Sequence, residues 1–250
     1  MKESIRGVAI LLLIVLVVHT VYARYVRPSA ERIIQAATEA GQSAPRDLVV
    51  ILKDWEQEIC IILMLYCIVQ IILKLREISK EQYLFDVDLL EDVEGPNSQL
   101  TDNLDELESL PAHIGRTQLV ETLKASLRRY RITEDVQNTS DAIQTSVEAL
   151  AMRLEADNTM IRYMIWAIPS IGFIGTVRGI GQALSQADQA LAGDISGMTA
   201  SLGIAFNSTF VALIASILLM LMLHFLQRTQ DRRLVDIQKY CEEFLLNRIS

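Results

Sequence analysis

Four long apolar runs divide the 250-residue chain, and polar segments separate them. A membrane-spanning helix needs about 20 mainly apolar residues, so the second run is short unless it extends back through Val49–Leu52 or leans on neighbouring helices. The pattern predicts an all-α, polytopic membrane protein with four transmembrane helices. The runs cover about Gly7–Tyr22, Ile59–Leu73, Tyr163–Ala183 and Leu202–Leu226.

The polar segments predict where the domains begin and end. We expect two N-terminal transmembrane helices with an outer loop, a cytoplasmic helical domain with an acidic segment, a hairpin of two spans, and a cytoplasmic amphipathic tail. These regions cover residues 1–76, 77–159, 160–226 and 227–250 in that order.

Two apolar stripes at helical spacing predict long helices that extend from the spans into the cytoplasm. No helix breaker interrupts the first stripe before Pro169, so that helix runs directly into the third span. Pro169 either kinks the span or is an irregularity without a role. The first stripe is Ile143, Val147, Leu150, Leu154 and Ile161, and the second is Leu234, Ile237, Cys241 and Phe244.

The cytoplasmic domain opens with a strongly acidic segment, which contributes to the net charge of −8. The residues Gly95–Ser98 break this segment. It is either a docking surface for a basic partner or a solvated loop, and the loop is the preferred interpretation. Its acidic residues are Asp86, Asp88, Glu91, Asp92, Glu94, Asp102, Asp105, Glu106 and Glu108.

Lysine and arginine predict the orientation in the membrane, because cytoplasmic loops carry an excess of them. The loop Leu184–Ala200 has none, whereas Lys74, Arg76 and Lys80 follow the second span and Arg228, Arg232 and Arg233 follow the fourth. Both termini are therefore expected to be cytoplasmic. Arg27, Arg32 and Arg46 in the first outer loop go against the rule.

The first apolar run has an alternative interpretation as a signal peptide. Lys2 and Arg6 precede it, and Val21-Tyr22-Ala23 is similar to an A-x-A cleavage site. We favour a retained transmembrane anchor, and either interpretation leaves residues 24–47 outside.

The third and fourth runs each carry one stripe of small residues opposite a bulky face. Small residues let helix backbones approach closely, and hydroxyl groups supply hydrogen bonds that hydrocarbon cannot. Both stripes are therefore predicted to pack against helices, including those of a partner. They consist of Gly172, Gly175, Thr176, Gly179 and Ala183 in the third run, and Ala205, Thr209, Ala212 and Ser216 in the fourth.

The two threonines of these stripes are predicted to lie at one depth. Thr176 precedes Ala183 by seven residues, and Thr209 follows Leu202 by seven. At about 1.5 Å per residue, both hydroxyl groups lie about 10 Å below the outer surface. Each threonine could instead bond only its own backbone, but the matched pair favours a functional layer.

Two strings in this region resemble the MotA/TolQ/ExbB proton channel family. Gly172-Phe173-Ile174-Gly175-Thr176-Val177-Arg178-Gly179-Ile180 is similar to the family's core motif, and Gly203-Ile204-Ala205-Phe206-Asn207-Ser208-Thr209-Phe210-Val211-Ala212 to its last span. The close similarity covers about residues 160–225. The chain departs from the family at Arg178, where some members have a large apolar residue, and at Ile204, where some have glutamate.

The resemblance implies a subunit of an ion-driven motor in the bacterial inner membrane. Five copies would surround a dimer of a single-span protein of the MotB/TolR/ExbD type, and Thr176 and Thr209 would line the path of H⁺ or Na⁺. The third and fourth runs contain no aspartate or glutamate. Since membrane ion relays usually use a carboxylate, the titrating group would be an aspartate of the partner. The alternatives are a non-conducting membrane scaffold and a passive ion channel.

Arg178 is expected to lie away from the ion path. On an ideal helix it points about 160° from Thr176, because successive residues are separated by about 100°. It is predicted to pair with Asp188, with Asp194 or with an adjacent subunit rather than to act in gating.

The sequence offers little for catalysis or for a bound cofactor. Cys60, Cys67 and Cys241 lack metal-ligand spacing, the histidines are scattered, and no P-loop lysine follows the glycines. The chain is therefore not expected to be an enzyme, to hold a metal or to bind nucleic acid.

Overall fold

The computed structural model describes residues 2–40, 45, 47–90 and 100–249, and within these ranges the chain forms helices and no strand. Arg46 and residues 91–99 of the acidic segment, with the break at Gly95–Ser98, lie outside the described residues. The α-helices are α1 Lys2–Val21, α2 Arg27–Glu39, α3 Leu48–Ile51, α4 Trp55–Lys80, α5 Leu100–Ser109, α6 Ala112–Gly115, α7 Gln118–Thr133, α8 Val136–Ser185, α9 Ala187–Leu191, α10 Ser196–Cys241 and α11 Asn247–Ile249.

Four of the continuous helices are long and apolar enough to cross a membrane, as the hydrophobic pattern predicts. They cover Ile5–Glu39, Trp55–Phe85, Val136–Ser185 and Ser196–Ile249. The first contains a π-helical turn, Tyr22–Val26, between α1 and α2. The all-α fold with four candidate spans is therefore confirmed.

The second span begins earlier than its apolar run. Helix α4 starts at Trp55, and its first turns are polar yet buried. The preceding residues Val49–Leu52 do not extend this span, because they belong largely to the short helix α3, which Asp47 caps through the backbone N–H of Val49. Helix α4 is 26 residues long, which is enough to cross a bilayer, and Cys60, Cys67 and Ile71 are buried on one face.

The described chain divides into two compact units. One contains residues 1–71 and 160–223, which include most of the four apolar runs, and the other contains residues 72–159 and 224–250. The predicted four-part division remains a prediction, although its boundary at 159/160 also separates the two units.

Pro169 lies inside α8, which continues through it. Because proline has no N–H group, the carbonyl oxygen of Ile165, four residues earlier, loses its usual partner. The hydroxyl group of Ser216 on α10 donates to this oxygen over 3.2 Å. A side chain of the neighbouring helix thus satisfies the carbonyl group that the proline leaves free.

The second unit has its own apolar core, contributed by α5, α7, the first part of α8 and the end of α10. Ile143 and Ile237 from the two predicted stripes are buried in it. Tyr240 accepts a hydrogen bond from the backbone of Leu89 over 2.8 Å and donates one to the carbonyl of Val87 over 2.7 Å. These contacts attach the segment after α4 to the C-terminal helix.

Candidate functional site

The small stripes of α8 and α10 face each other within one hairpin. A Cβ atom added at Gly172 would lie 2.6 Å from the Cβ of Ala212, and one added at Gly179 would lie 2.6 Å from the backbone nitrogen of Ala205. A Cβ at Gly175 would overlap the side chain of Ser208. Only glycine permits this approach of the two backbones.

The two stripes pack on each other within one chain, and the expectation that they also face partner helices stays a prediction. Since the two stripes cover each other, a single hairpin satisfies them. The residues buried in this way are Gly172, Gly175, Gly179, Ala183, Ala205, Ala212 and Ser216. Ser208, which the sequence analysis omitted, is also buried on this face.

Thr176 and Thr209 lie at one level of the hairpin, and their hydroxyl groups are in direct contact. The Thr176 hydroxyl is 3.2 Å from the carbonyl oxygens of both Gly172 and Ala205, and the Thr209 hydroxyl is 3.4 Å from the same two oxygens. Both side chains are half-buried. The structure thus brings the two threonines together, and the hydroxyl group of each contacts the other threonine as well as the two backbone carbonyls.

This threonine layer contains more acceptors than donors. It consists of two hydroxyl and two carbonyl oxygens, and each hydroxyl group has only one proton to donate. At most two of the close oxygen contacts are hydrogen bonds at any moment. The remaining lone pairs can accept from a water molecule or coordinate a small cation, because hard cations prefer oxygen ligands.

The opposite faces of both helices are bulky and exposed in the single chain. On α8 the exposed side chains include Val177 at 73%, and on α10 they include Phe206 at 67%. Such surfaces suit lipid or neighbouring protein helices. The others on these faces are Phe173, Ile180, Phe210, Leu213 and Ile217.

Arg178 forms an ion pair inside its own chain. Its Nε and Nη2 atoms donate to the two oxygens of Glu56 over 2.6 and 2.9 Å, and Nη2 lies 3.5 Å from Oδ1 of Asp54. The expected partners Asp188 and Asp194 are therefore not those found. Glu56 is 0% exposed, and the bidentate pair supplies the counter-ion that a buried carboxylate requires.

Three consecutive polar residues at the start of α4 each contact a different span, and all three are buried. This polar head of α4, residues 56–58, connects the second span to the other three. The contacts are Glu56 with Arg178 of α8, Gln57 with Ser208 of α10 at 3.4 Å, and Glu58 with His19 and Arg27 of the first long helix.

The sequence analysis missed the polar head because it considered carboxylates only within the third and fourth runs. The available signal was Asp54-Trp55-Glu56-Gln57-Glu58 directly before an apolar run that is too short to span. Acidic residues are also favourable in the first turn of a helix, because they meet the positive end of its dipole.

Two buried oxygen atoms near this head have no hydrogen-bond partner in the described part of the chain, Oε1 of Gln57 and Oδ2 of Asp54. Asp54 precedes the first residue of the span, and its burial raises the pKa of its carboxyl group, against the lowering effects of Lys53 and Arg178. Free energy is lost when a buried acceptor stays unpaired, so both oxygens are suited to receive a proton donor or a water molecule.

Four helices that are long and apolar enough to cross a membrane place the chain among polytopic helical membrane proteins. The model of the MotA/TolQ/ExbB proton channel family matches residues 116–239. The matched segment, which contains α7, α8 and most of α10, belongs to this family. Searches of curated proteins and of solved structures gave no match.

Proposed function

We propose that this chain is the channel-forming subunit of an ion-driven rotary motor in the bacterial inner membrane. It would couple inward flow of protons or sodium ions to mechanical work through a single-span partner protein. Its two termini would lie in the cytoplasm. The observation that carries the proposal is the threonine layer, set between the last two spans within the segment that belongs to a proton channel family.

The threonine layer supports ion passage because it has more oxygen atoms that can act as acceptors or ligands than hydroxyl protons to donate. Hydroxyl groups do not titrate usefully, so the layer orients water or coordinates the ion, and a carboxylate must supply the titrating group. A membrane aspartate of the partner would have this role. Each ion moved inward across about 100 mV releases about 2.3 kcal/mol, which is enough to bias a rotational step.

The exposed bulky faces support assembly into a ring. Phe206 and Phe210 are exposed on α10, and in a monomer only lipid would contact them. A ring of five copies around a partner dimer would cover part of these faces and leave the rest to lipid.

The packing of the hairpin counts against the scaffold alternative. That alternative relied on small stripes that bind partner helices, whereas here the stripes of α8 and α10 pack against each other. A passive channel remains an outcome of the test, because it would conduct without a partner.

The test is ion flux in liposomes that contain the chain with its gene-neighbour single-span partner. Thr176→Val and Thr209→Val keep nearly the same volume and delete the hydroxyl group, so each should abolish ion flux while the complex still assembles. Thr→Ser should retain part of the flux. Proton and sodium gradients are applied separately to identify the ion.

Thr199→Val is the matched control. Thr199 is an exposed threonine of α10 whose hydroxyl group bonds only nearby backbone carbonyls. The Thr199→Val variant should show the same ion flux as the wild type. Full flux in the double valine variant would refute an ion path through the threonine layer, and flux without the partner would identify a passive channel.

A further inference from the structure

Arg178 has two carboxylates within reach but fully engages only one. The guanidinium group donates to both oxygens of Glu56, and its Nη2 atom lies 3.5 Å from Oδ1 of Asp54. The other oxygen of Asp54, Oδ2, has no hydrogen-bond partner in the described part of the chain. The side chains of Glu56, Asp54 and Arg178 are 0%, 14% and 28% exposed. Two acids and one base thus share a sheltered site, which we name the outer triad.

The outer triad can accept one proton without leaving a lone charge. In an isolated buried pair, protonation of the glutamate would abandon the arginine charge, which is strongly unfavourable. Here Asp54 can take the proton, while Glu56 stays the counter-ion of Arg178. Two neighbouring carboxylates also repel each other, which favours a shared proton between them.

Other ionisable groups surround the outer triad. Lys53 and Cys60 lie near it on its own chain segment. From the first long helix, Tyr22 interacts electrostatically with Asp54, and also with Glu58 and Arg27. From α8 the facing charge is Arg178 itself. From α10 the neighbouring polar group is the uncharged Ser208, which lies beside Gly175 as Glu56 does.

The triad also adjoins the threonine layer. The Cγ atom of Glu56 packs beside Gly175, 3.3 Å from the position of an added Cβ, and Gly175 is the residue before Thr176. Gln57, next to Glu56, reaches Ser208, the residue before Thr209. Glu56 is therefore a carboxylate of this chain at the edge of the proposed ion path.

We propose that the outer triad of Asp54, Glu56 and Arg178 is a proton-binding site that loads the ion path. A proton from water adds to the Oδ2 atom of Asp54, which has no hydrogen-bond partner in the described part of the chain, and Arg178 keeps both hydrogen bonds to Glu56. Release of the proton toward the threonine layer restores the Asp54 carboxylate. The loading step rests on the proposed function, whereas proton binding itself does not.

Infrared difference spectroscopy of the full chain in lipid nanodiscs tests proton binding without any partner. The carbonyl stretch of a protonated carboxylic acid is titrated from acidic to alkaline pH. We expect the wild type to show such a band above the ordinary aspartate pKa of about 3.9. Asp54→Asn should remove the band, and Glu56→Gln should move it to lower pH because the neighbouring negative charge is gone.

Glu58→Gln is the matched control. Glu58 is also buried at the same helix end, but its contacts are His19 and Arg27 rather than Arg178. The band should persist in this variant. Its absence from the wild type, or its persistence unchanged in Asp54→Asn, would overturn the proposal and leave a structural ion pair. If Glu56→Gln does not fold, the Asp54→Asn titration decides alone.

Liposome flux with the partner tests the loading step. Asp54→Asn should lower proton flux at every pH, because the amide cannot take up the proton, and acid outside should not restore it. Flux in Asp54→Asn that equals the wild type at every pH would refute loading. A wild type without flux would refute the proposed function, while the infrared result would still decide proton binding. A band displaced by sodium but not by potassium would show that the triad holds a sodium ion, which also contradicts the proposal.

Discussion

Arg178 shows how one side chain can determine the stability of a membrane unit. It is a charged residue in an apolar helix, and Glu56 is the fully buried partner that makes it tolerable. Neither charge is acceptable alone in this surrounding.

Arg178→Ala should therefore destabilise the folded chain by about 3–5 kcal/mol, because it leaves Glu56 buried and unpaired. Arg178→Lys should cost less, since it keeps the charge and loses the bidentate geometry. Unfolding by SDS titration in mixed micelles measures both. Equal stability of the alanine variant and the wild type would show that the pair contributes nothing.

Ser216 compensates for the hydrogen bond that Pro169 removes from α8. Its hydroxyl group donates to the carbonyl of Ile165, which the proline leaves without a helical N–H partner. Ser216→Ala should cost about 1–3 kcal/mol, because the carbonyl then stays buried and unsatisfied. In a Pro169→Ala background the carbonyl regains a helical N–H, so the same serine change should cost much less. A double-mutant cycle measures this coupling, and additive effects would contradict it.

At the scale of elements, the hairpin of α8 and α10 depends on where its glycines lie. Gly179 meets the backbone of Ala205. Two residues later in the same helix, a Cβ added at Gly181 would have no contact within 4 Å from the rest of the described chain beyond its own helix backbone. The two positions allow a matched comparison of packing and helix propensity.

Gly179→Ala should destabilise the hairpin, by about 1–3 kcal/mol if the helices separate to admit the methyl group. Gly181→Ala should be neutral or stabilising by up to about 1 kcal/mol, because alanine is the better helix former. Thermal unfolding in detergent ranks the two variants. A Gly179→Ala variant as stable as Gly181→Ala would disprove the close approach.

At the scale of the whole molecule, the single chain leaves large apolar faces uncovered. We predict a homo-oligomer, five copies by family resemblance, and native mass spectrometry in mild detergent measures it. Phe210→Ala, on the exposed face of α10, should weaken the oligomer more than it weakens the fold. A stable monomer under all mild conditions would contradict the ring.

The sequence alone was sufficient for the helical architecture, the four spans and the matched level of Thr176 and Thr209. The reason is that helical periodicity and span length are local properties, and they follow from the spacing of apolar residues. The motif around Thr176 indicated the class of protein by its resemblance to a known family.

The tertiary structure decided which surfaces meet. Small residues show that a face is packed closely but not which helix covers it, and here the two stripes cover each other. Glu56 and Arg178 are 122 positions apart, so no periodicity joins them. A buried carboxylate finds its counter-ion through the packing of distant helices, and this long-range pairing is the part of the site that the sequence left undetermined.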